Sequence, residues 1–221
     1  MFWMAALVLI ALQGEAAVIV INPATDRDAL DSPAGGSFEI LTSENSAALT
    51  AQLFADDAGE YRGALEFDIS GLPAGQMIDS ATLSLFARTG RPTSSEPNLE
   101  VHGYTGDGII NLSDFTQNNL LMEFTSVGDG ETLVANVTSL IQSLYTGGNA
   151  FAGFNTRTTT TGGQIVLQAK ESSTLTMPSP QLMISYSATA VPEPGSFAFL
   201  GMGLVWMARR HSRSSRKQRS A

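Results

Sequence analysis

Apolar side chains recur at every second position through much of the middle of this chain. In "ALEFDIS" Leu65, Phe67 and Ile69 fall on one side, with Glu66 and Asp68 on the other. A period of two marks a strand with one buried and one solvated face. "SATLSLFAR" repeats it, with Ala81, Leu83 and Leu85 inward and Thr82, Ser84 and Phe86 outward. "NLEVHGY", "GQIVLQAK" and "PQLMISYS" continue it through Leu99 and Val101, then Ile165, Leu167 and Ala169, then Leu182, Ile184 and Tyr186. Turn residues separate these runs: Ser70 to Gly75, Gly90-Arg91-Pro92, Gly128-Asp129-Gly130 and Gly162-Gly163. Strands so spaced, with no helices between them, predict an antiparallel sandwich.

One segment has a different period. "NVTSLIQSLYTGG" puts Val137, Leu140, Ile141 and Leu144 on one helical stripe, with Asn136 or Thr138 placed to cap its start and Gly147 its end. It predicts a helix of two to three turns over one end of the sandwich. The expected fold class is therefore all-β: an antiparallel, jelly-roll-like β-sandwich over residues 17–190 with one short helix. A signal segment precedes it and an apolar helix follows it.

Both flanks are read from their own patterns. The opening "MFWMAALVLIALQGEAA" has an apolar run from Phe2 to Leu12, too short to span a bilayer, followed by small residues up to Ala16. It reads as a secretory signal over residues 1–16, cleaved after Ala16. At the other end, "GSFAFLGMGLVWMA" at 195–208 is an uncharged run bounded by Pro192 and Pro194 and by the basic residues Arg209, Arg210, Arg213 and Arg216. The prolines resist helix continuation and mark a domain boundary. The basic cluster would hold its end of a membrane segment in the cytoplasm while everything before it is exported.

Charge and cysteine content narrow the classes that remain. The chain has 12 Lys+Arg against 21 Asp+Glu, and six of the basic residues lie in the tail. Between residues 17 and 191 there remain 6 basic and 19 acidic residues, a net charge of −13. A phosphate backbone requires a basic face, so a nucleic-acid partner is not expected. There is no cysteine, which excludes disulfides, thiol nucleophiles and cysteine-ligated zinc. Stability must come from a packed core.

Val191-Pro192-Glu193-Pro194, the apolar run and the arginine cluster, in that order over residues 191–221, resemble the PEP-CTERM sorting signal of bacterial exported proteins. The resemblance implies export by the general secretory machinery and transient retention in the inner membrane. Cleavage near the Pro-Glu-Pro by an exosortase-type membrane protease would follow. The middle of the chain also resembles the disaggregatase-related (DNRLRE) β-sandwich modules. The matching stretches are "YRGALEFDISGLPAGQMIDSATLSLFAR" at 61–88, "VTSLIQSLYTGGNAFAGFNTR" at 137–157 and "SPQLMISYS" at 179–187. That resemblance implies a role in polysaccharide binding or envelope architecture.

Candidate chemistry is sparse. His102 is the one histidine outside the tail, and the alternation puts it on the solvated face of a strand rather than in a Ser-His-Asp arrangement. The acid pairs Asp56/Asp57 and Glu66/Asp68 read as surface charge. In "GYTGDGIINLSDF", Asp107, Asn111 and Asp114 are placed as calcium ligands, although an EF-hand register would need a carboxylate where Gly103 stands. Calcium is thus a candidate ion outside EF-hand geometry, and no other cofactor is expected. Trp3 and Trp206 both fall in the end segments. Tyr61, Tyr104, Tyr145 and Tyr186 are then the aromatic rings with a polar handle that a sugar could use.

The sequence therefore points to an exported, non-enzymatic protein of the cell surface or exopolysaccharide matrix. The competing expectation is a hydrolase or lyase acting on that polymer through carboxylates and a tyrosine. Two or more acids clustered with a tyrosine on one concave sheet face would favour the enzyme, and a face of Thr, Ser and scattered charge the matrix role.

Overall fold

The computed structural model describes residues 16–31, 38, 40–41, 48–53, 59–88, 97–170 and 178–188. Val191 to Pro194, the arginine cluster, Gly90 to Pro92, Asp56 and Asp57 lie outside them, as does nearly all of the opening segment.

The sandwich is antiparallel and strand-dominated. Its first five strands are β1 (Ala17–Ile21), β2 (Thr25–Asp31), β3 (Ile40–Leu41), β4 (Ala48–Leu53) and β5 (Glu60–Asp68). There follow β6 (Gln76–Arg88), β7 (Leu99–Gly106), β8 (Leu120–Phe124) and β9 (Glu131–Asn136). The helix α1 (Thr138–Thr146) precedes β10 (Phe151–Arg157), β11 (Gln164–Gln168) and β12 (Gln181–Ala188).

The long β6 organises one layer. One edge pairs with β12 over Gln76 to Ser84 and with β11 at Ala87 and Arg88, and the other pairs with β9. Beyond β12 lies β1. In the second layer β5 runs between β2 and β10, β10 pairs with β7, and β7 with β8. The strand β4 links the layers, pairing with β11 along its length and with β5 at Gln52 and Leu53.

Alternate residues of both layers fill one core. Leu65 and Phe67 of β5, Phe154 of β10 and Val101 of β7 share it with Leu83 and Leu85 of β6 and Leu182 and Ile184 of β12. Phe67 and Phe154 meet edge to face at 5.7 Å between ring centroids. Each such side chain, fully buried, contributes about 1.5–3 kcal/mol.

The helix forms where the period changed. Asn136 Oδ1 accepts from the Thr138 amide at 3.0 Å, and Gly147 N–H donates to the Ser143 carbonyl at 2.9 Å. Gly148 follows at φ +72°, the left-handed conformation that a β-carbon resists. Ile141 and Leu144 enter the core. On the other side Gln142 donates to the Ile78 carbonyl at 2.9 Å and Tyr145 Oη to the Pro73 carbonyl at 2.6 Å. The helix is thereby bound to β6 and to the turn before it.

One expectation fails in the second layer. Glu66 is not surface charge: it is fully buried, while Asp68 is exposed. The outward face of β5 has a cover of its own, a segment described next.

Candidate functional site

After β7 the chain folds back over the outer face of β5, β10 and β7 as the segment 107–119. Gly108 makes the bend at φ +90°, and an added β-carbon there would press on the Phe151 ring at 2.9 Å. A 3-10 turn, Leu112–Thr116, is closed at its start by a reciprocal cap. Asn111 Oδ1 accepts from Ser113 N–H at 3.0 Å, and Asp114 Oδ2 accepts from Asn111 N–H at 2.8 Å. Ile110 and Phe115 then bury against Ala29, Ala64 and Phe38 in a second, smaller apolar cluster. Arg62 donates to the Phe115 carbonyl at 2.6 Å and lies 4.9 Å from the centre of the Phe38 ring.

Beneath this cover lie two cross-strand rows of polar side chains. In the first, register places Gly153 between Glu66 and Tyr104. Glycine is required there because a β-carbon would run into the Tyr104 ring. Glu66 Oε2 accepts from Gly108 N–H at 2.6 Å. The Tyr104 hydroxyl lies beside the same carboxyl. Its oxygen and Glu66 Oε1 have no hydrogen-bond partner among the described residues. In the second row Asn155 stands between Ala64 and His102, and its amide donates to the Asp114 and Gln117 carbonyls at 2.9 and 3.1 Å.

Burial dominates the electrostatics of the first row. It pushes the Glu66 carboxyl up; the Gly108 N–H opposes it, and the nearby Asp114 and Asp107 charges reinforce it. Asp114 is pushed up in the same way, chiefly by burial, against the Asn111 amide and with Asp107 adding to the rise. Burial, then the Glu66 and Asp114 charges, raise the Tyr104 phenol too. Carboxyls whose pKa is raised, beside a phenol, have the composition of a general-acid site. Glu66 and Tyr104 are nevertheless covered, so no polymer reaches them in this conformation.

His102 is the clearest correction. It is 1% exposed rather than solvated, because the 107–119 segment covers the face on which the alternation placed it. Its Nε2 lies 2.8 Å from Glu100 Oε2, which also accepts from Arg157 Nε at 2.6 Å. A carboxylate can only accept, so Nε2 carries the proton. Burial is the largest influence on His102 and lowers its pKa, with the Arg157 charge adding to the effect against the pull of Glu100. For Glu100 burial alone would raise the pKa, but the His102 and Arg157 hydrogen bonds together outweigh it and leave the carboxyl low. No serine hydroxyl bonds His102 among the described residues, and the group is an ion-pair network rather than a nucleophile relay.

A third acidic group was not foreseen. Asp26 and Asp28 of β2 are buried. Asp28 Oδ1 accepts from Thr50 N–H at 2.8 Å and Asp26 Oδ2 from the Lys170 amide. Burial pushes Asp28 up to about 7, against the Thr50 hydrogen bonds and with the Asp26 charge adding to the rise.

The expected calcium ligands take up local roles. Asn111 and Asp114 cap each other's turn, and Asp107 Oδ1 accepts from Ile109 N–H at 2.9 Å. No three carboxylates or histidines gather in metal-binding geometry among the described residues. Of the four tyrosines, Tyr104 is buried and Tyr145 is engaged at both its donor and acceptor positions, to Pro73 and Gln76. Tyr61 and Tyr186 are half-buried on different strands.

No protein-family profile matches the sequence, and no curated protein matches it either. Among solved structures the chain is similar to dimeric latent PorU from Porphyromonas gingivalis. The identity is 10% and the TM-score 0.31, over 80% of this chain and 13% of that one. So slight a likeness carries no argument. Among the described residues no helix is long and apolar enough to cross a membrane.

Proposed function

We propose that this is an exported, non-enzymatic protein of the cell surface or exopolysaccharide matrix, sorted by a PEP-CTERM signal. The observation that carries the reading is the order of the closing segment: Val191 to Pro194, the uncharged run 195–208, then Arg209, Arg210, Arg213 and Arg216. In this reading the secretory machinery exports the chain and a signal peptidase cuts after Ala16. The inner membrane holds the closing run until an exosortase-type protease cuts near the Pro-Glu-Pro. Ala17 pairs with Tyr186, so the strands that lead into both processed segments are neighbours at one edge of the sandwich. The released domain, a DNRLRE-like module, then associates with exopolysaccharide and needs no cofactor.

The enzyme reading weakens on one point. Of the acids that gather with a tyrosine, Asp114 belongs to the 107–119 segment itself, and Glu66 and Tyr104 lie buried beneath that segment rather than in an open cleft. A binding module needs no buried acid, and a sealed acid–phenol row is adequately explained as core polarity.

Mass spectrometry of the protein recovered from its host's envelope and medium tests the reading. An N-terminus at Ala17 and a C-terminus near Pro192 to Pro194 are expected. A tail intact through Ala221 would overturn sorting and processing. Shortening of the host's polysaccharide by the purified protein would restore the enzyme.

A further inference from the structure

The strand β1 is the last in its layer and has one ladder, to β12, among the described residues. Its other edge therefore presents backbone N–H and C=O groups along "AVIVI". Natural sheets blunt such edges with a charge, a proline or a bulge, and β1 contains none of these between Ala17 and Ile21.

The side chains are as unguarded as the backbone. Val18 and Val20 are 60% and 52% exposed, and Met183, which pairs with Val20 across the ladder, is 44% exposed. Around them on that face lie Ser185 and Thr82, with the Asp79 carboxylate held by Ser187 further along β12, so the centre of the patch is uncharged in a domain whose net charge is −13. Two copies of so acidic a domain repel each other over most of their surfaces. The uncharged edge is where they approach at least cost.

The residue order suits a second copy. Read antiparallel about Ile19, "AVIVI" places Val18 opposite Val20, Val20 opposite Val18 and Ile19 opposite itself. The exposed valines of the two copies then pair directly on one face, as cross-strand β-branched residues favour. Ile19 and Ile21 lie on the other face, where they already pack against the core. A twofold axis through Ile19 closes this contact without leaving a repeating edge.

We propose that β1 is a homodimerisation edge: two copies join antiparallel β1 strands in register about Ile19, making one continuous sheet from the two β1–β12–β6–β9 layers. The proposal is independent of the sorting signal.

Two measurements on the protein purified from its host test it. Sedimentation across micromolar to millimolar concentrations should show a monomer–dimer equilibrium, and Val18→Lys with Val20→Lys should weaken it by about tenfold or more. Both positions are exposed, so the variant should keep the wild-type circular dichroism. Because the chain lacks cysteine, single cysteines report register without interference. A mixture of Val18→Cys and Val20→Cys proteins should form a disulfide-linked heterodimer faster than either forms a homodimer, since those positions are directly opposed. A monomer throughout the range, a dimer indifferent to the lysines, or equal cross-linking in all three samples would overturn the proposal.

Discussion

Glu66 of β5 and Tyr104 of β7 occupy one row on either side of Gly153, the residue of β10 that pairs with both. The middle strand contributes no side chain to the row, so the phenol ring lies over the bare backbone of Gly153. Gly153→Ala should destabilise the domain by about 1–3 kcal/mol, because the ring must shift and the segment above it must shift in turn. Urea denaturation measures this. A change within experimental error would mean that the ring has room the geometry does not show.

The buried acids set the sign of the pH dependence. Asp28 is raised from 3.8 to about 7 in the folded state, so the folded protein holds a proton that the unfolded chain releases earlier. The stabilisation is full below about pH 4 and is lost as pH rises through about 7, with a slope of up to about 1.4 kcal/mol per pH unit. Glu66, also raised, acts in the same direction. Asp28→Asn keeps an acceptor for the Thr50 amide and removes one titration. Its stability should therefore fall less steeply between pH 4 and 7 than that of the wild type. Identical slopes from denaturation at stepped pH would exclude Asp28 as the source.

Where one face of a strand is buried and the other solvated, its pattern was readable, as in β6. Leu83 and Leu85 alternate there with Thr82 and Ser84 and take the predicted sides. The helix was readable for a similar reason, since Ile141 and Leu144 share a stripe. What escaped was burial on both faces. In β10, Ala152 and Phe154 face the main core while Gly153 and Asn155 lie under the 107–119 segment, so no alternation survives. The strand β2, "TDRDALD", buries its aspartates, which a hydropathy pattern assigns to solvent. Glu66 and His102 were misplaced for the same reason: their faces are polar in sequence, and the cover comes from the later segment 107–119 rather than from their own strands. One signal was available, Ile110 and Phe115 in an otherwise polar loop, which required an apolar surface to rest on.

The same loop yields a prediction about calcium. Asn111 closes the 3-10 turn with its side-chain oxygen, and Asp114 returns the bond to the Asn111 amide. Asn111→Ala should cost about 0.5–2 kcal/mol through loss of the cap. The melting temperature should be the same in millimolar calcium as in chelator for both proteins. A calcium-dependent rise that Asn111→Ala abolishes would show that these oxygens are ligands before they are caps.

The last prediction concerns the network at Glu100. Its carboxylate holds His102 Nε2 and Arg157 Nε on one oxygen, and His102 is buried enough to disfavour its charged form. In the wild type the imidazole should titrate below 6.5, followed by NMR of its ring protons. Because a lowered base gives stability above its unfolded pKa and loses it as pH falls, His102 destabilises the fold on the acid side, opposite in sign to Asp28. Arg157→Met removes a positive charge that opposes imidazolium and leaves Glu100 to pair with His102 alone. The His102 pKa should therefore rise, and the domain should lose about 1–3 kcal/mol near neutral pH from the broken charge-assisted bond. Stability loss alone would fit any packing defect. An upward imidazole shift requires that Arg157 act on His102 through charge, and an unmoved titration would remove Arg157 from the network.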